Sequence, residues 1–126
     1  MNAIPKAVRE AVEPALRTSG HEVADMMERL APEDSGDLKG SIAVTMPGRS
    51  TPRYSQPGGS RVAGPLEVIV TAGDADVRYA HLVEHGTTKT PAHPFFWPGF
   101  RFTREKASKR IKGAISRAIK KNWGKS

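Results

Sequence analysis

The chain opens with apolar residues on a helical beat: between Pro5 and Leu30, the residues Val8, Val12, Leu16, Val23, Met26, Met27 and Leu30 recur mostly at spacings of three, four and seven. That is one stripe of an α-helix, and the rest of the chain must fold so as to cover it. Pro14 lies inside the stripe and predicts a kink or interruption, since proline lacks the N–H and crowds the preceding turn. Ser19 followed by Glu22 resembles a capping box, at which the helix would restart. A second, narrower stripe near the other end (Ile111, Ala114, Ile115, Ala118, Ile119) lies among lysines and arginines and predicts a basic helix over residues 100 to 122. Pro98 near its start is tolerated in a first turn.

The segments between these helices read differently. Ala31 to Asp37 (APEDSGD) stops the first helix and reverses the chain, and capping explains its carboxylates Glu33, Asp34 and Asp37. Leu38, Gly40, Ile42, Val44 and Met46 then alternate with Lys39, Ser41, Ala43 and Thr45, the period of a half-buried strand. Residues 47–65 hold four prolines and four glycines with almost no apolar content. Such a stretch predicts a flexible loop without structure of its own. Leu66 to Ala72 resumes a β-branched strand, and Gly73-Asp74-Ala75-Asp76 is a turn after it. The expected architecture is α+β, a single domain over residues 1–126: an N-terminal helix, a small, mostly antiparallel sheet with a long loop, and a C-terminal basic helix. One core is the expectation at this length.

The charge is as uneven as the patterning. Residues 1–100 carry 10 Lys or Arg against 12 Asp or Glu, and residues 101–126 carry 10 against 1, so the excess behind the net +7 sits in the last fifth of the chain. Arg104, Lys109, Arg110, Lys112 and Arg117 are the candidate contacts of that helix, to nucleic acid or to an acidic partner; the same run is equally what a solvated helix face looks like. The chain has no cysteine. Disulfides, thiolate metal sites and thiol nucleophiles are therefore excluded. No apolar run approaches the roughly 18 residues of a membrane span, and the first residues lack the apolar core of a secretory signal. A soluble protein made in the cytosol, with no membrane partner, is expected.

Residues 81–85 read HLVEH, with His93 close by, which is the H-x-x-E-H spacing of a class of zinc protease. That chemistry needs a third ligand and a glutamate free to act on metal-bound water. The only acidic residue after Glu84 is Glu105 in the basic helix, and Gly86 ends any helix at once. The spacing is therefore read as coincidence, and no catalytic residue, metal or cofactor is expected.

At full length, residues 79–98 read YAHLVEHGTTKTPAHPFFWP. This stretch resembles the tail-completion and head–tail joining proteins of long-tailed bacteriophages and prophages, in which Y-A-x-x-V-E-x-G-T is followed by P-x-x-P-F and a further proline. Tyr79, Ala80, Val83, Glu84, Gly86, Thr87, Pro91, Pro94, Phe95 and Pro98 fall on that pattern. A second family motif, A-P-x-x-[ST]-G-x-L-x-x-S-I, matches Ala31, Pro32, Ser35, Gly36, Leu38, Ser41 and Ile42. The resemblance implies a structural subunit, with no catalysis, of a phage, prophage or gene transfer agent particle. It would form a homo-oligomeric ring, most simply a hexamer, at the head–tail junction. There it would join or terminate the tail tube, contact the tube protein and the head connector or stopper, and let DNA pass without sequence-specific binding. The alternative is a nucleic-acid-binding module that uses the basic helix.

Physical reading of the same residues gives the candidate contacts. Tyr79, Leu82, Val83 and Gly86 have the spacing of a helical turn, with Tyr79 and Val83 facing the sheet. Glu84 then either faces a polar neighbour or is solvated. Phe95, Phe96, Trp97, Phe100 and Phe102 are five of the chain's eight aromatics. They are too many to be buried together in one small core, so some are expected in the core and the rest on an exposed interface, with Phe95, Phe96 and Trp97 as its candidates together with Tyr79, Glu84 and the loop residues Arg53 and Tyr54.

Overall fold

A computed structural model of the chain describes residues 4–32, 36–89 and 91–123. The expectations for Glu33, Asp34 and Ser35 fall outside those residues. The elements are α1 (Lys6–Leu30), α2 (Gly36–Gly40), β1 (Ala43–Thr45), β2 (Ile69–Thr71), α3 (Ala80–His85) and α4 (Phe96–Trp123). The fold is α+β, with a long helix at each end and one two-stranded antiparallel sheet.

Size complementarity holds the two long helices together. α1 buries Val8, Val12, Leu16, Val23 and Met27, while past Phe96 the residues that α4 buries are Gly99, Thr103, Ala107, Ala114 and Ala118. Large side chains on one helix thus fill the space left by small ones on the other. The pairing is antiparallel: Gly99 sits over Met27, Ala107 lies opposite Ser19, and Ala118 packs with Val8, Val12 and Leu16. The approach is closest at Gly99, where an added Cβ would lie 2.6 Å from Met27 Cγ and 3.0 Å from Met27 Cα and N.

The expected break at Pro14 does not occur, and α1 runs through it unbroken. Pro14 is exposed, whereas Val12 and Leu16 beside it are fully buried against α4. Burying two such side chains offsets the roughly 3 kcal/mol that an interior proline costs. Nor do Ser19 and Glu22 form a capping box. Ser19 Oγ reaches Ala107 O at 3.5 Å and accepts from Arg110 at 3.0 Å, while Glu22 accepts from both Arg110 terminal nitrogens at 3.2 and 3.4 Å. Arg110, expected on a partner-facing surface, instead pins α4 to α1.

The strand expected from Leu38 is shorter than its alternation suggested. Leu38 lies in α2, with its side chain fully buried. Ser41 closes that turn by donating its hydroxyl to Leu38 O at 2.6 Å, and the same oxygen accepts Gly73 N–H at 2.9 Å. β1 therefore begins only at Ala43, and pairs Ala43↔Thr71, Val44↔Val70 and Thr45↔Ile69. α1 lies directly on this sheet at Gly20, where a Cβ would meet Val44 and Val68 at 2.7 Å. The turn at Gly73 forms as expected: Gly73 has φ +90°, and Asp74 Oδ1 accepts the N–H of Asp76 and Val77 at 2.9 Å.

Residues 47–65 are not structureless. Ser50 bridges Val62, and Gly48, Thr51 and Ala63 donate N–H groups across the loop to Ala63, Arg61 and Arg49 at 2.8–3.0 Å. Thr51 Oγ1 also donates to Gly59 O and accepts from Arg61 N–H. Gln56 bridges Ala72 beyond the end of β2. A segment poor in apolar groups can still pair its own peptide groups, and composition does not record that.

Two outcomes follow from this packing. Gly99→Ala should lower stability by about 1–3 kcal/mol in urea unfolding, because backbone atoms of Met27 cannot yield and overpacking exceeds the gain in helix propensity. Arg110→Met should be less stable by about 1–2 kcal/mol at neutral pH. The Arg110 guanidinium holds the Glu22 carboxyl below its ordinary value of 4.5. A depressed folded-state pKa stabilises above the unfolded value and is lost as pH falls through the folded one. The gap between Arg110→Met and the parent should accordingly narrow in acid unfolding curves below about pH 4.5.

Candidate assembly surface

The surface is organised around a carboxylate that does not reach it. In α3, Ala80 and Glu84 are one helical turn apart and share the buried face. Glu84 Oε1 accepts the N–H of Phe95 at 2.9 Å and of Phe96 at 2.8 Å, and Oε2 accepts that of Trp97 at 3.2 Å. Pro98 has no N–H, and Gly99 N–H makes the first bond along the helix, to Phe95 O at 3.1 Å. Every donor of the first turn is thus accounted for, and a negative charge sits at the positive end of the helix dipole. Gly86, with φ +77°, ends α3 by donating to Leu82 O, and His93 N–H reaches back to Val83 O. The polar neighbour of Glu84 is therefore the N-terminus of α4.

Glu84 is thus not placed as the free carboxylate that H-x-x-E-H chemistry needs. His81 and His85 are exposed on α3, while Glu84 turns inward with both oxygens engaged by peptide N–H groups, so it has none free for a metal-bound water. Among the described residues no three metal-binding side chains cluster.

The aromatic run divides by helical phase. Phe95 and Phe96 are core residues, at 0% and 7% exposure, so neither they nor Glu84, at 7%, present the outer edge expected of them. Trp97 and Phe100 are exposed at 39% and 38%. They continue an edge-to-face series from the interior, Phe96 to Trp97 at 5.1 Å and Trp97 to Phe100 at 6.1 Å between centroids. Beside them a groove of about 840 Å³ runs between α4 and β2, floored by Val68, Val70 and Ile111 and edged by Arg104 and Lys112. The spacing of 97, 100, 104 and 111 on one helix is a signal the sequence did offer.

Tyr79 is exposed rather than packed on the sheet, whereas Val83 does pack on the core. Tyr54, with φ +64°, lies against Arg78, whose Cζ is 3.7 Å from the ring centroid, and near Arg53 at 5.6 Å. Arg78 was not anticipated, being distant in sequence. The motif residues are mostly internal supports: Leu38 and Ser41 are buried, Gly36 opens α2, and Pro32 is half-buried. Thr87, Pro91 and Pro94 are exposed, with Thr87 Oγ1 accepting Lys89 N–H at 3.2 Å. In the basic helix Lys109 pairs with Glu105 at 3.3 Å, and Arg117 is exposed.

Glu84→Ala, which orphans three donors, two of them buried, should cost about 2–3 kcal/mol in thermal or urea unfolding. Glu84→Gln should recover part of that loss, since one amide oxygen can still accept from Phe95 and Phe96.

Compared with known proteins, residues 1–86 match the family model HK97-gp10_like, described as a bacteriophage HK97-gp10 tail component. The match spans α1, the motif from Ala31 to Ile42, the sheet and α3, and ends at Gly86, before α4. No curated protein and no solved structure matches the chain.

Proposed function

Since the chain belongs to the HK97-gp10-like family of bacteriophage tail components, a structural class, we propose that it closes head-to-tail into a ring at the head–tail junction. There it joins or terminates the tail tube, meets the head connector or stopper, and leaves a channel for DNA. A heterologous contact repeated by rotation closes into a ring, and six copies are the number the family resemblance implies. The reading is carried by the Trp97–Phe100 edge beside its groove, an apolar surface that the subunit's own core does not need. Such a surface, rimmed by charge, is what a partner covers. Tyr54 with its two arginines, and Tyr79 and Leu82 on α3, supply further exposed contacts for neighbours. Among the described residues no helix is long and apolar enough to cross a membrane.

Electron microscopy of the purified protein and of its parent particle tests this directly, the expected result being a ring at the neck. The double variant Trp97→Ser/Phe100→Ser should keep its helical circular dichroism and lose ring formation, since truncating an interface anchor commonly costs more than about 2 kcal/mol. Rings that persist in this variant would remove the aromatic edge from the contact.

A further inference from the structure

The charge of α4 is not balanced within the subunit. Lys106 and Arg110 are taken up by Glu22, and Lys109 by Glu105. Arg101, Arg104, Lys112, Arg117, Lys120 and Lys121 are all exposed, and none makes an ion pair among the described residues. Ordinary helix electrostatics explain only part of this. Lys120 and Lys121 lie in the last turn, where cations suit the dipole. Arg101 and Arg104 lie in the second and third turns, beyond the reach of the dipole, which therefore does not account for them. Arg101 with Arg104, and Arg117 with Lys120 and Lys121, are also like-charge neighbours at spacings of three and four, each pair costing a few tenths of a kcal/mol. Phe102 and Trp123 lie on the same helix at 73% and 76% exposure.

Adding copies of the chain does not neutralise this charge overall. Residues 1–100 carry only two more acids than bases, and each added subunit brings a further +7. We propose that the outward side of α4, from Arg101 to Lys121, binds the phosphate backbone of double-stranded DNA without reading its sequence. Those residues span about 30 Å along the helix, matching the phosphates of roughly nine base pairs. Dense, regularly spaced negative charge of that length is what a helix with six cations unpaired among the described residues and a single acid, Glu105, already paired with Lys109, complements. This inference rests on the family placement and is independent of ring closure.

The test uses the full chain and a fluorescent duplex of about 20 base pairs, followed by anisotropy between about 50 and 200 mM salt. Each phosphate contact contributes about −0.9 to the slope of log affinity against log salt, so a slope of about −3 or steeper is expected. The variant Arg101→Gln/Arg117→Gln/Lys120→Gln, which spares the groove residues Arg104 and Lys112, should bind at least about tenfold more weakly and lose two to three contacts from the slope. It should still form rings by electron microscopy. A parent that fails to bind at the lowest salt, a triple variant that binds like the parent, or tighter binding to phosphatidylserine vesicles than to duplex would overturn the inference. A chain that binds duplex in this way but forms no ring would sink the ring and leave the DNA face standing.

Discussion

The Glu84 carboxylate at the start of α4 is the constraint on which the other contacts depend. A buried carboxylate is costly unless its oxygens are bonded, and here three peptide N–H groups and the helix dipole together offset that cost. The interaction fixes where α4 begins and how it leaves α3. Because α4 then packs along α1, and α1 lies on the sheet at Gly20, a shift at that first turn would move the whole helical pair. The motif from Tyr79 to Pro98 is thus a device for launching a helix in one direction, with Gly86 ending the donor helix and Pro98 removing the one N–H the carboxylate does not reach.

The same launch angle sorts the aromatics. With about 100° between successive helical residues, Phe96 falls toward α1 and the sheet while Trp97 turns away from them. Phe95 and Phe96 close the core, and Trp97 and Phe100 form an outer edge stacked on it. The outer edge is held by the inner one, which leaves it little freedom to lose on docking. An aromatic edge of this kind is better suited to a repeated contact than the same residues on a mobile loop.

The matched family ends at Gly86, so it covers the parts that build the scaffold: α1, the Leu38–Ser41 turn with its bond to Gly73, the sheet and α3. α4 lies beyond it, and carries both the exposed aromatic edge and the unbalanced charge. The scaffold answers to internal geometry.

The sequence by itself determined the fold class, the buried stripe of α1, the basic helix, the turn at Gly73 and the family, because periodicity, turn chemistry and short motifs are local information. It could not decide whether Pro14 breaks a helix, since that depends on what Val12 and Leu16 pack against. It placed Leu38 in a strand because the alternation was satisfied equally well by a helical turn closed by Ser41. It read Arg110 as outward-facing because its partner Glu22 is 88 residues away, and left Glu84 open between two environments because its donors lie 11 to 13 residues on. Those outcomes belong to the tertiary structure. A hydrogen-bond acceptor or a buried face is defined by what closure brings beside it, and one strand of sequence does not carry that neighbour.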